Sequence, residues 1–202
     1  DGISAAMVLT IAVIVFAIGL YARSEFGQQK GAAVTRSSYA FWTLLLGIWS
    51  GLNAVALGDD LFNLYVALEL LTFAAVPLVC VKGYEATIKA AMRYMLFALI
   101  GSVLYLLGTA LIYGTYGTLD ITLLADRVRP EPAAWTAAAL MTVGLLAKTA
   151  LFPLHLWLPP AHAGAPAPGS AVLSALVVKG SFILIVRIWF DAMPGLLTFT
   201  AA

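Results

Sequence analysis

The chain has 202 residues, 62% of them hydrophobic and only 10% charged, with a formal net charge of +1. Soluble domains are nearer 45–50% apolar and about 25% charged, so the composition excludes an ordinary soluble domain, and the near-neutral charge argues against nucleic acid as a partner. Apolar runs close to the roughly 20 residues needed to cross a bilayer recur along the chain, as in a polytopic helical membrane protein.

The first predicted helix, 3–21, carries no charge, and the polar loop 22–38 after it holds Arg23, Lys30 and Arg36. The second, 39–57, is also uncharged and contains Gly47 and Gly51, a GxxxG spacing that lets another helix approach closely. Trp42 and Trp49 read as lipid-facing or interfacial anchors. Gly58-Asp59-Asp60 forms a tight turn before the third helix, 61–81, and both aspartates suit capping at its positive end. Glu69 is different, because it falls in mid-helix where no capping role exists. An intramembrane carboxylate is a functional candidate by default, the bland alternative being a structural ion pair.

A second polar connection, 82–93, carries Lys82, Lys89 and Arg93, the last two in the opening turns of a fourth helix running to about 113, where they can snorkel. Gly101, Ser102 and Gly108 are its small packing positions, and the loop 114–134 has room for a short amphipathic segment. The fifth helix, 135–152, contains Lys148; it breaks over PLHLWLPPAHAGAPAPGS and resumes as a sixth, 171–187, with Lys179 near its middle. A lysine at the bilayer centre costs about 2.5–3.5 kcal/mol on insertion scales, so two of them flanking a proline-rich break need a reason, and ion movement is the simplest. Pro153 cannot donate a backbone hydrogen bond, which frees the Thr149 carbonyl beside Lys148. Irregular backbone at membrane depth is tolerated where it is buried in protein or lines a wet cavity, and broken helices mark ion sites in transporters. His155 and His162 lie in the break as possible proton carriers, or as hydrogen-bonded structural histidines.

Six spans put Arg23, Lys30, Arg36, Lys82, Lys89 and Arg93 on one side, which the positive-inside rule assigns to the cytoplasm of a cell inner (plasma) membrane, with both ends of the chain outside. Cys80, alone in an apolar helix, makes no disulfide framework, and two histidines without a cysteine cluster predict no metal. No glycine-rich phosphate loop, dinucleotide fingerprint or GxSxG elbow is present, so no cofactor and no catalytic chemistry are expected. Beginning at Asp1 without an initiator methionine or signal peptide, the chain reads as part of a longer protein.

LLAKTALFPLHLWLPPAHAGAPAPGSAVLSALVVKG and GDDLFNLYVALELLTFAAVPL resemble the core of the antiporter-like proton-conducting subunits found in respiratory NADH dehydrogenase (complex I), Mrp-type cation/proton antiporters and membrane-bound hydrogenases. The resemblance implies that Glu69 is the family's key glutamate, Lys148 the lysine of its broken helix and Lys179 the lysine that continues the path; His162 stands in the AHAGAP pattern. It implies an all-α membrane fold of about six transmembrane helices with one broken helix, one half of an inverted-repeat transporter. Residues 1–202 would then form a single transmembrane domain, with a leading helix at about 3–21 and a five-helix repeat at about 39–190. The function implied is proton translocation with other membrane subunits as partners. Alternatives are sodium/proton exchange, a structural subunit that conducts nothing, and an accessory subunit coupling proton flow to inorganic-carbon uptake or hydrogenase chemistry.

Overall fold

A computed structural model describes residues 2–27 and 34–197; Lys30 lies outside them. The α-helices among the described residues are α1 (Gly2–Phe26), α2 (Arg36–Leu57), α3 (Leu61–Val79), α4 (Glu85–Tyr116), α5 (Ile121–Arg127), α6 (Pro132–Thr149), α7 (Leu158–Gly164), α8 (Ala167–Val172) and α9 (Val178–Arg187). A π-helical turn, Leu173–Val177, joins α8 to α9, and a second, Ile188–Ala192, follows α9, so the rod from Ala167 to Ala192 is continuous. Among the described residues, that rod and α1–α4 are the five helices long and apolar enough to cross a membrane. The sequence predicts six, the sixth being α6, whose 18 residues include Pro132 and end on Lys148 and Thr149. It nevertheless runs against α4 within the bundle.

Several boundaries move. Cys80 falls just past the end of α3 rather than inside it. The loop 114–134 contains α5, capped by Asp120, which accepts from the Leu123 amide at 3.0 Å. Asp60 caps α3, accepting from the Phe62 and Asn63 amides at 2.9 and 3.0 Å. Asp59 does not cap; its Oδ1 lies 2.7 Å from Arg187 Nη2. Trp42 is half-buried and its Nε1 donates to the carbonyl of Phe26, the last residue of α1, at 3.1 Å, while the buried Trp49 Nε1 has no partner among the described residues.

Inside a bilayer there is little hydrophobic drive between helices, so close packing of small residues does the work. Gly51 of α2 faces the α3 backbone, where an added Cβ would meet the Leu71 nitrogen at 3.1 Å. The tightest crossing joins α4 and α6. A Cβ on Gly101 would meet the Gly144 carbonyl oxygen at 2.5 Å, and one on Gly108 the Ala137 oxygen at 2.7 Å. One apolar cluster joins α1, α2, α3 and the start of α4 to the broken segment; the other joins the opposite ends of α3 and α4 to α5, α6 and α9.

The chain leaves α6 earlier than the proline predicts. Ala150 takes the left-handed conformation, φ 56°, and the Ala150 and Leu151 amides turn back to the Ala147 and Leu146 carbonyls at 3.4 and 3.2 Å. This is a left-handed helix cap built on alanine instead of the usual glycine. Pro153 lies three residues beyond it, exposed, in a non-helical run that ends at α7.

Candidate ion-translocation site

Lys148 is the penultimate residue of α6, where a cation also suits the negative end of the helix dipole. The α4–α6 glycine crossing lets its side chain pass close to Gly101 and reach α3. Its Nζ donates to Glu69 Oε1 at 3.1 Å and to Thr72 Oγ1 at 2.9 Å. The lysine side chain is 6% exposed and the glutamate 15%. Ser102 of α4 donates to the same Glu69 oxygen. Three helices therefore converge on one buried ion pair, and each charged group has an additional hydroxyl partner. A buried pair needs that satisfaction, because desolvation of two ions otherwise exceeds their attraction.

The pair adjoins the break. Trp157 is fully buried, donates from Nε1 to the Ala147 carbonyl at 2.9 Å, and stacks on Tyr94 with centroids 4.0 Å apart. One of the carbonyls at the end of α6 is thereby satisfied by a side chain from beyond the break. A cavity of about 10 Å³ lies among Thr72, Tyr94, Lys148 and Ser181, about the lower limit for a single water. Ser181 of α9 is 3.1 Å from the Thr149 hydroxyl. Lys148 and Ser181 thus face the same small cavity, and Ser181 stands on the rod that carries Lys179.

The other sequence candidates stand apart from this pair. Lys179 is exposed on the rod and donates to the Ser174 carbonyl, five residues back, within the π turn. It lines a cavity of about 400 Å³ between α1 and the rod. His162 Nδ1 is 2.7 Å from the Ser170 hydroxyl and within electrostatic range of Lys179. His155, in the break, lies near the Phe152 ring (5.7 Å), and its buried Nδ1 has no hydrogen-bond partner among the described residues. Among those residues no cluster of three or more His, Cys, Asp or Glu is placed to hold a metal ion.

Sequence reasoning missed Thr72, Tyr94, Trp157 and Arg187, and took Ser102 for a packing position. Thr72 had a usable signal, since it follows Glu69 by three residues and shares its helix face. Ser102, Tyr94 and Trp157 had none, because their roles depend on which face of an all-apolar helix turns inward. Arg187, 8% exposed on its side chain, donates to the Gly58 carbonyl and Asp59 and so clamps α9 to the α2–α3 turn.

Residues 58–199 match the family described as NADH:quinone oxidoreductase/Mrp antiporter, TM. The chain is 35% identical over 181 residues to NADH-quinone oxidoreductase subunit N of Desulforudis audaxviator (strain MP104C), covering 88% of this chain and 36% of that protein. It is 28% identical over 192 residues to one of the Na(+)/H(+) antiporter subunits of Bacillus subtilis (strain 168), covering 94% of this chain and 38% of the relative. Among solved structures it resembles a chain of the Mrp complex from Dietzia sp. DQ12-45-1b, with TM-score 0.85, 26% identity and coverage of 98% of this chain and 36% of the other. A chain of respiratory complex I from Thermus thermophilus with bound aureothin matches with TM-score 0.73, 27% identity and coverage of 93% and 40%. The chain thus spans under two fifths of the length of these two curated relatives. By the match over residues 58–199 and its fold, this multi-pass membrane chain belongs to the NADH:quinone oxidoreductase/Mrp antiporter transmembrane family.

Proposed function

We infer that this chain is the first proton-conducting half of an antiporter-like membrane protein, comprising a leading helix and a five-helix repeat, and assembled with other membrane subunits of a larger complex. The observation that carries this reading is the buried Glu69–Lys148 contact, 3.1 Å, beside the end of a broken helix. Charge at membrane depth is retained where it serves ion movement.

The chemistry follows from the contact. While Glu69 is ionised and adjacent, it stabilises the Lys148 ammonium against desolvation. If Glu69 is protonated or drawn away, the ammonium stands unpaired in an apolar site and passes a proton to water. Thr149 and Ser181 lead that proton toward the rod and Lys179, where His162 and Ser170 are at hand. Thr72 keeps the neutral amine in place until it is reprotonated. In this reading the membrane is the cell's inner (plasma) membrane, and the loops with Arg23, Arg36, Lys82, Lys89 and Arg93 face the cytoplasm.

The test uses the full-length parent complex reconstituted into vesicles and driven by its own electron donor or ion gradient. Lys148→Ala is expected to abolish most proton uptake while the complex remains assembled. Full uptake in an assembled Lys148→Ala complex overturns the reading. Uptake that requires sodium assigns the parent to sodium/proton exchange instead of proton pumping alone.

A further inference from the structure

The two ends of the bundle differ in charge. Arg23, Arg36, Lys82, Lys89 and Arg93 gather where α1 and α3 end and α2 and α4 begin, with Glu25 and Glu85 as the acids there. Asp59, Asp60, Asp120, Asp126, Glu131 and Asp191 gather at the other end, with Arg127, Arg129 and Arg187 as the bases there. At the basic end a groove of about 310 Å³ separates the first turns of α4 from α7. Ala90, Thr87, Ala163 and Gly164 line it, and Lys89 and Arg93 stand at its edge. Thr87 and Gly164 close one side, a Cβ on Gly164 meeting Thr87 at 3.4 Å.

The two cations are available for a ligand. Among the described residues Lys89 pairs only with Glu85, at 2.7 Å, with both side chains at least 75% exposed, and such surface pairs contribute little. Arg93 is exposed and has no ion-pair or hydrogen-bond partner among the described residues. From Arg93 an exposed stripe, Leu96, Ile100, Val103 and Leu107, continues along the same face of α4 at helical spacing. The 32 residues of α4 extend about 48 Å at about 1.5 Å per residue, well beyond a hydrocarbon core of about 30 Å. Its first turns therefore stand at the level of lipid headgroups while the stripe runs down into the acyl region.

We propose that this groove binds an anionic phospholipid, its phosphate held between Arg93 and Lys89 and an acyl chain lying along the Leu96–Ile100–Val103 stripe. The guanidinium gives paired donors for phosphate oxygens and the ammonium a second point charge. The small lining residues leave room for the glycerol region beside α7. Basic pockets between membrane helices suit anionic headgroups. A soluble phosphate would meet the same two cations but make no use of the apolar stripe that continues from them. The site stands apart from Glu69 and Lys148 and does not depend on what they conduct.

The experiment uses the purified full-length parent complex in detergent. Phosphatidylglycerol, phosphatidylcholine, dihexanoyl phosphatidylglycerol and inorganic phosphate are titrated separately, and bound lipid is read by native mass spectrometry alongside the melting temperature. Phosphatidylglycerol should be retained at least tenfold more tightly by the native complex than by Lys89→Gln/Arg93→Gln. Arg93→Lys should recover part of that difference, and Arg127→Gln/Arg129→Gln, at the other end, should lose nothing. The exposed positions make misfolding of the variant detectable as a lower melting temperature in phosphatidylcholine, in which case Arg93→Lys against Arg93→Gln is the deciding pair. Equal retention by the double variant, or no difference within that pair, overturns the proposal. Equal retention of phosphatidylcholine overturns the anionic preference, and inorganic phosphate or the short-chain lipid reproducing the full effect overturns the lipid assignment.

Discussion

Gly101 of α4 and Gly144 of α6 meet backbone against backbone, and their contact sets how far Lys148 can reach. A Cβ on Gly101 would lie 2.5 Å from the Gly144 oxygen and 3.2 Å from Lys148 Cγ. Four residues beyond Gly144, the lysine then falls directly over Glu69 and Thr72. The ion pair is thus built on the absence of two methyl groups.

Gly144→Ala and Gly101→Ala should each force α4 and α6 apart. Overpacking of this kind costs about 1–3 kcal/mol, and the separated helices should lose the Glu69–Lys148 contact as well. The expected outcome is a lower melting temperature in detergent and a several-fold drop in proton uptake by the parent. Gly114→Ala, where an added Cβ meets nothing within 4 Å, is the control. Normal uptake in either crossing variant would mean that the glycines do not position the lysine.

Glu69 and Lys148 should behave as one unit in a double-mutant cycle. Removing one partner of a buried pair typically costs about 3–5 kcal/mol because the other charge is left uncompensated. Glu69→Ala, Lys148→Ala and the double variant should therefore lose uptake to a similar extent, and the double should be the more stable in melting experiments. Glu69→Asp should be milder. Losses that multiply across the two single changes would show that the residues act independently.

Trp157→Phe keeps the ring against Tyr94 but removes the donor to the Ala147 carbonyl. Leaving that carbonyl with only the longer, 3.4 Å bond from the Ala150 amide should cost about 1 kcal/mol, read as a lower melting temperature. Trp157→Ala, which also deletes the stack, should cost more. Equal melting of Trp157→Phe and native protein would mean that the hydrogen bond does not hold the break.

The end of α6 yields a prediction that the sequence alone reverses. Read from the sequence, Pro153→Ala restores a bond to Thr149 and straightens the helix. Because the helix already ends in the left-handed Ala150, Pro153→Ala should leave the break in place and reduce uptake less than twofold. Ala150→Gly, which suits the left-handed conformation, should stabilise by about 0.5–1 kcal/mol. A large transport loss in Pro153→Ala, or destabilisation by Ala150→Gly, contradicts this geometry.

Orientation can be checked on two exposed or half-exposed positions at opposite ends, Tyr84 before α4 and Thr118 before α5. Cysteines there, in the Cys80→Ala background, should be labelled from opposite sides, Tyr84 from the cytoplasmic one. A third position suited by sequence, Gln28, lies outside the described residues. Labelling of both from one side would break the span count through α4.

Composition and run length by themselves determined that this is a helical membrane protein, where its apolar segments lie, and that Glu69, Lys148 and Lys179 are the charges needing explanation. Those facts are local: a charge in an apolar run is conspicuous whatever surrounds it. The partnerships were not legible, because Glu69 and Lys148 are 79 residues apart and Arg187 and Asp59 are 128 apart. In a soluble helix the polar face would have marked the outside, but here nearly every face is apolar and periodicity carries little information about which one turns inward. Only the packing of small residues decides that, and it brought Ser102 and Thr72 to the ion pair, turned Lys179 to the surface of the rod, and stacked Trp157 on Tyr94. The break was visible as a proline-rich stretch, yet its first residue was not, since the helix stops at a left-handed alanine, and alanine carries no local signal for that conformation.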